Sequence, residues 1–205
     1  MITHNMEQGT DEWFAVRCGI PTGSKFKDLI TSTGAPSKSM ETYAANLAGD
    51  LYAGKPLDSF EGNQWTDRGT ELEPQARASY QFLNDSEVVE TGFVTPDSGL
   101  YGVSPDGLIN DDGMVEFKCL KTANHIGALI YYSKNKKSPP AYIQQIQGQM
   151  MVCEREWCDL VFYHPDLPML VIRNEPDDKI VEGLRSQLVG VIRERDRILK
   201  IINEY

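Results

Sequence analysis

The spacing of apolar positions changes twice along the chain. Up to about residue 83, apolar side chains recur at intervals of three and four residues, which predicts helices. From residue 88 to residue 119 they fall into short runs between turn-forming residues, which predicts strands. A helical segment, two more strand-like runs and a long amphipathic helix follow. This order predicts an α+β fold with a central mixed β-sheet flanked by helices.

The helical segments begin and end at recognisable signals. Thr10 is a preferred residue at a helix start, and Gly19 closes the first segment. Pro74 lies inside the fourth segment, where it predicts a kink or a restart of the helix. The predicted helices cover residues 10–18, 22–30, 39–54, 67–83, 141–152 and 179–204.

The strand-like segments are short and alternate with turns. The turn sequences that begin at Pro96 and Asp111 separate the first three runs, and His164-Pro-Asp separates the last two. We expect the first three runs to form a meander. The predicted strands cover residues 88–94, 100–103, 114–119, 158–163 and 169–172.

One predicted strand carries two charges among apolar residues. Glu116 and Lys118 are two residues apart, so their side chains leave the same face, and Asp106 can reach that face from the preceding strand end. Two carboxylates with water and a main-chain carbonyl suit Mg²⁺, and a nearby ammonium can orient or help to deprotonate an attacking water. The pattern indicates a metal-dependent nuclease that hydrolyses phosphodiesters.

The same residues also have an ordinary structural interpretation. Ser104-Pro-Asp-Gly107 is a common turn signal, and a Glu-x-Lys sequence after such a turn can occur by chance. Unpaired charge inside an apolar strand is costly, however, which favours a partner or a metal for Glu116 and Lys118.

Length and composition indicate one soluble domain. The 205 residues, 40% of them apolar, are enough for one compact core, so we expect a single domain over residues 1–205. The N-terminus lacks the basic and apolar regions of a signal peptide, and no apolar run is long enough to span a membrane. We therefore expect an intracellular protein without a membrane partner.

The four cysteines lack the spacing of a metal-binding motif. Cys18, Cys119, Cys153 and Cys158 include no Cys-x-x-Cys pair, which argues against a zinc ribbon. We expect reduced, mostly buried thiols. An iron–sulfur cluster held partly by Cys153 and Cys158 is the alternative.

The net charge of −10 is unfavourable for a protein that binds nucleic acid, but its distribution is uneven. Residues 117–153 contain five lysines and no Asp or Glu, whereas residues 51–100 contain nine acidic and three basic residues. The basic stretch begins at the proposed catalytic strand. We expect Lys134, Lys136 and Lys137 to bind DNA, although these lysines are also compatible with a solvated loop.

Four motifs follow one another along the chain. They are Trp13-Phe-Ala-Val-Arg17-Cys-Gly-Ile-Pro-Thr22-Gly-Ser24, Arg68-Gly69-x-x-x-Glu73-x-x-Ala76-Arg77, Ser104-Pro-Asp-Gly107 with Glu116-Phe-Lys118, and Tyr142-Ile-Gln-Gln145-Ile-Gln-Gly-Gln149. On these motifs the chain resembles the phage lambda exonuclease and YqaJ-like viral recombinase family over roughly residues 13–165. The resemblance implies the restriction-endonuclease-like PD-(D/E)xK fold.

The resemblance also implies a catalytic site. Its metal ligands are Asp106, Glu116, the main-chain carbonyl of Phe117, and Glu73, and the catalytic set is completed by Lys118 and Gln145. Asp106 and Glu116 hold Mg²⁺, for which Mn²⁺ can substitute, and Lys118 serves the nucleophilic water. Glu73 assists a second metal or its water shell from a helix. From sequence alone, Glu73 is also at the spacing of an ordinary ion pair with Arg77.

A pocket for a 5′-terminal phosphate is the second implied site. It is formed by Arg17, Ser24, Ser104 and Gln145. Arginine can donate two parallel hydrogen bonds to phosphate oxygens, and hydroxyl and amide groups supply further donors. The residues alone also allow a surface ion pair of Arg17 with Asp11 or Glu12, and a helix cap at Ser24. Many RecB-like nucleases have Gln-x-x-x-Tyr in the glutamine-rich helix, and the second glutamine here, Gln149, has no assigned role.

The resemblance implies an exonuclease that digests one strand of linear double-stranded DNA from its 5′ end. It leaves 3′ single-stranded tails for phage-type recombination by single-strand annealing. No Gly-rich phosphate-binding loop is present, so we expect no ATP requirement. The family works as a homotrimeric ring with an annealing protein, here in the cytoplasm of a bacterial host. The alternatives are an endonuclease of the same fold, in restriction or repair, and a DNA-end-binding module without catalysis.

Overall fold

The computed structural model describes residues 1–57 and 64–205. Its helices are α1 (Asp11–Arg17), a 3-10 helix (Gly23–Asp28), α2 (Met40–Ala53), α3 (Gln64–Asn84), α4 (Thr122–Asn135), α5 (Pro140–Cys153) and α6 (Asp178–Ile202). Its strands are β1 (Ile2–His4), β2 (Phe93–Thr95), β3 (Gly107–Ile109), β4 (Gly113–Cys119), β5 (Trp157–Tyr163) and β6 (Leu170–Asn174). All six predicted helical segments are helical, and α3 continues through Pro74.

The main sheet has four strands in the order β3-β4-β5-β6. Strands β4 and β5 are parallel, whereas β3–β4 and β5–β6 are antiparallel, so the predicted mixed sheet is confirmed. Parallel neighbours need a long crossover, and α4 and α5 provide it between β4 and β5. Strands β1 and β2 pair in a separate two-stranded sheet.

The main sheet is buried on both faces, because helices cover each side. Met114 of β4 packs with Ile146 of α5 on one face. Val115, the next residue, packs with Ala76 of α3 on the other face. Burial of an apolar side chain of this size contributes about 1.5–3 kcal/mol to stability. Since side chains alternate along a strand, Glu116 lies on the same face as Met114, towards α5.

A further core lies between the 3-10 helix, α2, α5 and α6. The predicted apolar stripe of the C-terminal helix packs into this core through Leu184, Leu188 and Val191. The 3-10 helix approaches α5 closely at Gly148, where a Cβ atom would lie 2.1 Å from the ring of Phe26. Glycine at this position therefore lets the segment after α1 lie beside the glutamine-rich helix.

The predicted meander is wrong. The hairpin partner of β4 is β3, and the segment over residues 100–103 contributes only isolated bridges, including Val94 with Val103. The predicted strand over residues 88–94 is reduced to β2, which pairs with β1 at the N-terminus. Pro105 has no N–H for a ladder, and it separates the bridge at Val103 from β3.

Helix α4 was not predicted. Its sequence contains Ile126, Leu129 and Ile130 at helical spacing, but only the lysines at its C-terminal end were interpreted, as DNA-binding residues or as part of a solvated loop. His125 and Ala128 are its buried residues, and Lys136 caps it in the left-handed conformation at φ 52°. Ile126 and Ile130 remain exposed, so the buried face of this helix is narrow although its apolar residues have helical spacing. Within the described parts of the chain, no helix combines the length and the apolar character that a bilayer crossing requires.

The four cysteines, all within the described residues, are thiols rather than disulfides. Burial raises the pKa of the Cys153 thiol to about 12, and it raises the pKa of Cys158 well above the usual range. A thiolate is the form that binds iron, and burial disfavours it here.

We therefore predict that the purified protein has no visible absorbance band and contains negligible iron by elemental analysis. Anaerobic purification is the control, because it protects an oxygen-sensitive cluster from loss. A brown protein with about four irons per chain would restore the iron–sulfur alternative.

Candidate active site

Strand β4 places the two charged residues of the proposed site side by side. Glu116 is 2% exposed and lies on the α5 face of the sheet. The ammonium Nζ of Lys118 donates to Glu116 Oε1 over 2.5 Å. The two-residue spacing that predicted a shared face therefore also produces a direct ion pair.

Asp106 reaches β4 from the turn before β3, as the sequence predicted. Its Oδ2 accepts a hydrogen bond of 2.6 Å from the main-chain N–H of Phe117. The carboxylate is thereby fixed beside the strand, between the backbone of Phe117 and the charged side chains of Glu116 and Lys118. Asp106, Glu116 and Lys118 form one cluster, which we call the carboxylate cluster.

Helix α5 contributes two glutamines to this cluster. Gln145 Nε2 donates to Glu116 Oε1 over 2.6 Å, and Gln149 Nε2 donates to Glu116 Oε2 over 2.7 Å. The i,i+4 spacing puts both amides on one side of the helix. Gln144 and Gln147 point elsewhere, to the carbonyls of residues 30 and 175. The structure thus gives Gln149, which had no assigned role, a contact with the cluster.

The cluster carries more negative than positive charge. Burial, and then the neighbouring carboxylate of Glu116, raise the pKa of Asp106 well above its usual range. Burial lowers the pKa of Lys118, but the carboxylates of Glu116 and Asp106 outweigh it, so that the pKa ends above the ordinary value. One lysine therefore balances two adjacent carboxylates, and a bound cation would relieve the remaining repulsion.

A divalent cation with a preference for oxygen fits this donor set. Two carboxylates and a main-chain carbonyl are the ligands that Mg²⁺ takes, with waters in the other positions. Asp106 and Glu116 supply the carboxylates. Among the described residues, no group of three or more His, Cys, Asp or Glu side chains converges as a ready-made metal cage. The donor set of Asp106, Glu116 and the main-chain carbonyl of Phe117 therefore suits a divalent cation that keeps waters in its other positions.

Glu73 approaches the cluster from α3 but is paired with another residue. Its Oε1 accepts a hydrogen bond of 2.7 Å from Arg77, which also contacts Glu90. Burial raises the pKa of Glu73, Arg77 lowers it, and the charge of Glu116 raises it further. The alternative ion pair with Arg77 is therefore present, and the negative charge of Glu116 still affects the pKa of Glu73.

A guanidinium faces the cluster from the N-terminal segment. Arg17 Nη1 donates to Ser104 Oγ over 3.1 Å, and its guanidinium lies 3.5 Å from the centre of the Trp13 ring. Desolvation lowers the pKa of Arg17 to about 10. Among the described side chains no carboxylate pairs with it, so the alternative ion pair with Asp11 or Glu12 is not formed.

Ser24 is not a helix cap. The residue before the 3-10 helix is Thr22, and Ser24 is the second residue inside that helix. Its side chain is exposed and lines the same cavity as Arg17. The predicted partners of a terminal phosphate therefore lie together.

The carboxylate cluster and the predicted phosphate pocket share one cavity of about 180 Å³. Its lining residues are Gln8, Trp13, Arg17, Gly23, Ser24, Ser104, Asp106, Glu116, Gln145 and Gln149. Acidic groups occupy one side, and an arginine with hydroxyl groups occupies the other. This arrangement can hold a metal-bound phosphodiester and a second phosphate at the same time.

Besides Gly23 and Gln149, two cavity residues had no predicted role in the site, Gln8 and Trp13. Gln8 donates from Nε2 to the carbonyl oxygens of Thr91 and Pro105, at 2.9 and 3.1 Å. Trp13 donates from Nε1 to Ser104 Oγ over 2.9 Å. The spacing of Trp13 four residues before Arg17 was a usable signal, since it places an aromatic ring beside the guanidinium. No local signal marks Gln8.

The lysines predicted to bind DNA do not line this cavity. Lys134, Lys136 and Lys137 are exposed at the C-terminal end of α4, and Lys136 lies over the ring of Tyr132. Two larger cavities also lie outside the cluster. One of about 520 Å³ shares Trp13, Arg17 and Ser24 with the site, and one of about 840 Å³ lies along α6.

Comparison with known proteins gives a consistent result. A family described as the YqaJ-like viral recombinase domain matches residues 12–156. The alkaline exonuclease LHK-Exo from Laribacter hongkongensis is 34% identical, with a TM-score of 0.82 over 95% of this chain and 97% of that chain. Its complex with dAMP matches to the same extent. No curated protein matches the chain.

A more distant structure has the same fold. A phage-related exonuclease from Haemophilus somnus 129PT is 15% identical, with a TM-score of 0.71 over 89% of this chain and 96% of that chain. At this identity the similarity concerns the fold alone. The mixed sheet flanked by helices that the sequence predicted is thus a fold shared with exonucleases.

Proposed function

The chain belongs to the family of YqaJ-like viral recombinase domains, and we propose that it is an Mg²⁺-dependent, ATP-independent exonuclease of the alkaline exonuclease type. It digests one strand of linear double-stranded DNA in the 5′→3′ direction. The 3′ single-stranded tails that remain serve phage-type homologous recombination by single-strand annealing. Similarity to an alkaline exonuclease over nearly the whole chain supports the exonuclease activity.

The observation that carries this proposal is the shared cavity. An arginine without a carboxylate partner among the described residues lies opposite two carboxylates that share a single lysine. A DNA end presents both complements, since its terminal phosphate is an anion for Arg17 and its first internucleotide phosphate can meet a metal at Asp106 and Glu116. A site that cleaved only internal phosphodiesters would not need Arg17 as a binding group for a terminal phosphate.

Nucleases of this kind generally use divalent metals. When bound, the metal would polarise the scissile phosphate and make a water more acidic. Asp106, Glu116 and the carbonyl of Phe117 would hold it. Lys118 would orient the attacking water beside Glu116, while Glu73 would support a second metal or its water shell. Gln145 contacts both Glu116 and Lys118, so it fixes their mutual orientation.

The phosphate pocket gives the reaction its direction. Arg17, Ser24, Ser104 and Gln145 would bind the 5′-terminal phosphate and hold the next phosphodiester in register with the metal. After each cleavage, the new 5′ end again carries a phosphate that fits the pocket. Digestion therefore proceeds away from the 5′ end.

Assembly and cellular context follow from the family resemblance. We propose a homotrimeric ring that encloses the duplex, a single-strand annealing protein as partner, and a place in the cytoplasm of a bacterial host infected by a phage. The uneven charge supports an encircled duplex, because basic segments can face DNA while the acidic remainder keeps the outer surface from binding it. Lys134, Lys136 and Lys137 would contact the duplex at a distance from the cavity.

Polarity on end-labelled DNA tests this function. We expect a linear duplex labelled at the 5′ end to release its label first, as a mononucleotide, and a 3′-labelled duplex to retain it on a long strand. The reaction should need Mg²⁺, stop with EDTA, and proceed without ATP. The measurement is gel analysis of both labelled substrates over time.

A covalently closed circular duplex is the control substrate. It has no end, so it should resist the protein, and the same circle linearised by a restriction enzyme should be degraded. Cleavage of the closed circle would support the endonuclease alternative. Binding of linear ends without any Mg²⁺-dependent hydrolysis would support the non-catalytic end-binding alternative.

A further inference from the structure

Gln149 lies between the two halves of the active site. Its Nε2 donates to Glu116 Oε2 over 2.7 Å and lies 3.4 Å from the main-chain oxygen of Ser104. The hydroxyl of Ser104 accepts a hydrogen bond from Arg17. One side chain therefore links the carboxylate cluster to the segment that carries the phosphate pocket.

The amide oxygen of Gln149 receives no hydrogen bond from the described part of the chain. Gln149 is 1% exposed, and its Oε1 is buried without a hydrogen-bond partner among the described residues. A buried amide oxygen in this state is costly unless something else supplies the donor. Gln149 also lines the cavity. A water that enters the cavity with the substrate can therefore donate a hydrogen bond to Gln149 Oε1.

Gln145 and Gln149 donate to different carboxylate oxygens of Glu116. Gln145 shares Oε1 with Lys118, whereas Gln149 is the described donor to Oε2. With both oxygens held, the carboxylate cannot rotate freely. Removal of Gln149 would release Oε2 while the ion pair on Oε1 stays in place.

We propose that Gln149 is a positioning residue of the nuclease reaction. It holds Glu116 in the orientation that binds the metal, and its Oε1 accepts a hydrogen bond from a water in the cavity. This inference rests on the proposed nuclease function and adds to it a residue outside the assigned metal and phosphate ligands. Partners that orient metal ligands commonly change metal affinity or activity by about 10–100-fold when they are replaced.

Gln149→Met with Gln144→Met as its control tests the role. Both glutamines are buried on α5, both donate from Nε2, and both have a buried Oε1 without a described donor. Only Gln149 lines the cavity. Methionine keeps the length of the side chain and removes both hydrogen-bonding atoms, so the two variants lose comparable packing and polar contacts.

The first readout is metal binding without turnover. Calorimetric titration of the DNA-free protein with Mn²⁺ should show affinity at least about tenfold weaker in Gln149→Met, and near wild type in Gln144→Met. The second readout is the rate on a 5′-phosphorylated linear duplex at saturating Mg²⁺. It should fall in Gln149→Met and remain within about twofold of wild type in the control.

Gln149→Glu covers the case in which the methionine variant does not fold. Glutamate has the same shape but cannot donate to Glu116 when ionised, and its charge attracts the cation. We expect metal affinity to be retained while the rate at saturating Mg²⁺ falls by about tenfold or more. A merely structural role would not separate these two quantities.

The outcomes separate the failure of this inference from the failure of the function. If wild-type protein degrades DNA with Mg²⁺ and Gln149→Met matches Gln144→Met in both readouts, the positioning role is overturned and the nuclease function stands. A Gln149→Glu variant with the wild-type rate at an alkaline pH, at which the introduced carboxylate is ionised, would also overturn the role. If wild-type protein neither binds metal nor degrades DNA, both proposals fail.

Discussion

Glu116→Gln is expected to abolish DNA cleavage while binding of DNA ends largely survives. The substitution keeps the shape of the side chain and removes one of the two charges that would hold the metal, and a bound metal supplies several kcal/mol of transition-state stabilisation. We therefore expect the rate to fall by about 10³-fold or more. Single-turnover cleavage with Mg²⁺, and fluorescence anisotropy with a labelled 5′-phosphorylated duplex in EDTA, measure the two effects.

Asp159→Asn is the matched control for this variant. Asp159 is also a buried carboxylate on the main sheet, 2% exposed, but it accepts hydrogen bonds from Tyr80 and Arg173, away from the cavity. It should lose stability, because a buried carboxylate loses its charge and its ion pair with the exposed Arg173, and it should keep cleavage below its melting temperature. Equal loss of cleavage in both variants would show that Glu116 acts through stability alone.

Lys118→Ala is expected to behave like Glu116→Gln. Its ammonium is the one described cation in hydrogen-bonding contact with Glu116, so its removal leaves two adjacent carboxylates unbalanced. Cleavage should fall sharply, and end binding should persist through Arg17. Near-wild-type turnover in either variant would mean that the motif is only a turn followed by a strand.

The centre of the site was predictable because it depends on local geometry. Glu116 and Lys118 share a face because any strand places residues i and i+2 together. Asp106 follows from the turn that precedes the same hairpin. These residues lie within a short stretch, so alternation and turn chemistry were enough to bring them together without knowledge of the rest of the fold.

The surroundings of the site were less predictable because they depend on contacts between distant segments. Gln8 reaches the carbonyl of Pro105, 97 residues away in sequence. Arg17 meets Ser104 across 87 residues, and only the family resemblance anticipated that pairing. Gln149 could not be assigned, since the spacing of four glutamines on one helix does not say which of them face the sheet.

The errors in the strand prediction have the same origin. Apolar runs at residues 88–94 and 100–103 have the composition of strands, but the partners available in the fold decide whether they form ladders. Strand β2 pairs with β1 in the separate sheet, and β3 is the antiparallel neighbour of β4. The order of strands was therefore a tertiary property, whereas the existence of a mixed sheet between helices followed from the order of segments.

The largest effect outside the metal site is expected at Arg17. Wild-type protein should degrade a linear duplex with 5′-phosphates faster than one with 5′-hydroxyl ends, and Arg17→Ala should remove most of this preference. The guanidinium already stacks on Trp13 and donates to Ser104, so it is held in place before the phosphate arrives. Loss of a charge-assisted hydrogen bond costs about 1.5–3 kcal/mol, which corresponds to roughly 10–150-fold in rate at a phosphorylated end.

Lys25→Ala provides the comparison, because Lys25 is an exposed cation that lines the larger neighbouring cavity rather than the catalytic one. It should lower the rates on both substrates equally, or leave them unchanged, and so preserve the ratio that Arg17→Ala removes.

Arg17→Ala should also shorten each digestion run on long duplexes, while Mg²⁺-dependent hydrolysis itself persists. Because the pocket, and not the metal, distinguishes the two ends of a strand, the ratio of rates is the decisive quantity. If wild-type protein digested both kinds of end equally, or if Arg17→Ala lowered both rates by one factor, Arg17 would be a general DNA-binding or structural residue, and another group would have to set the direction.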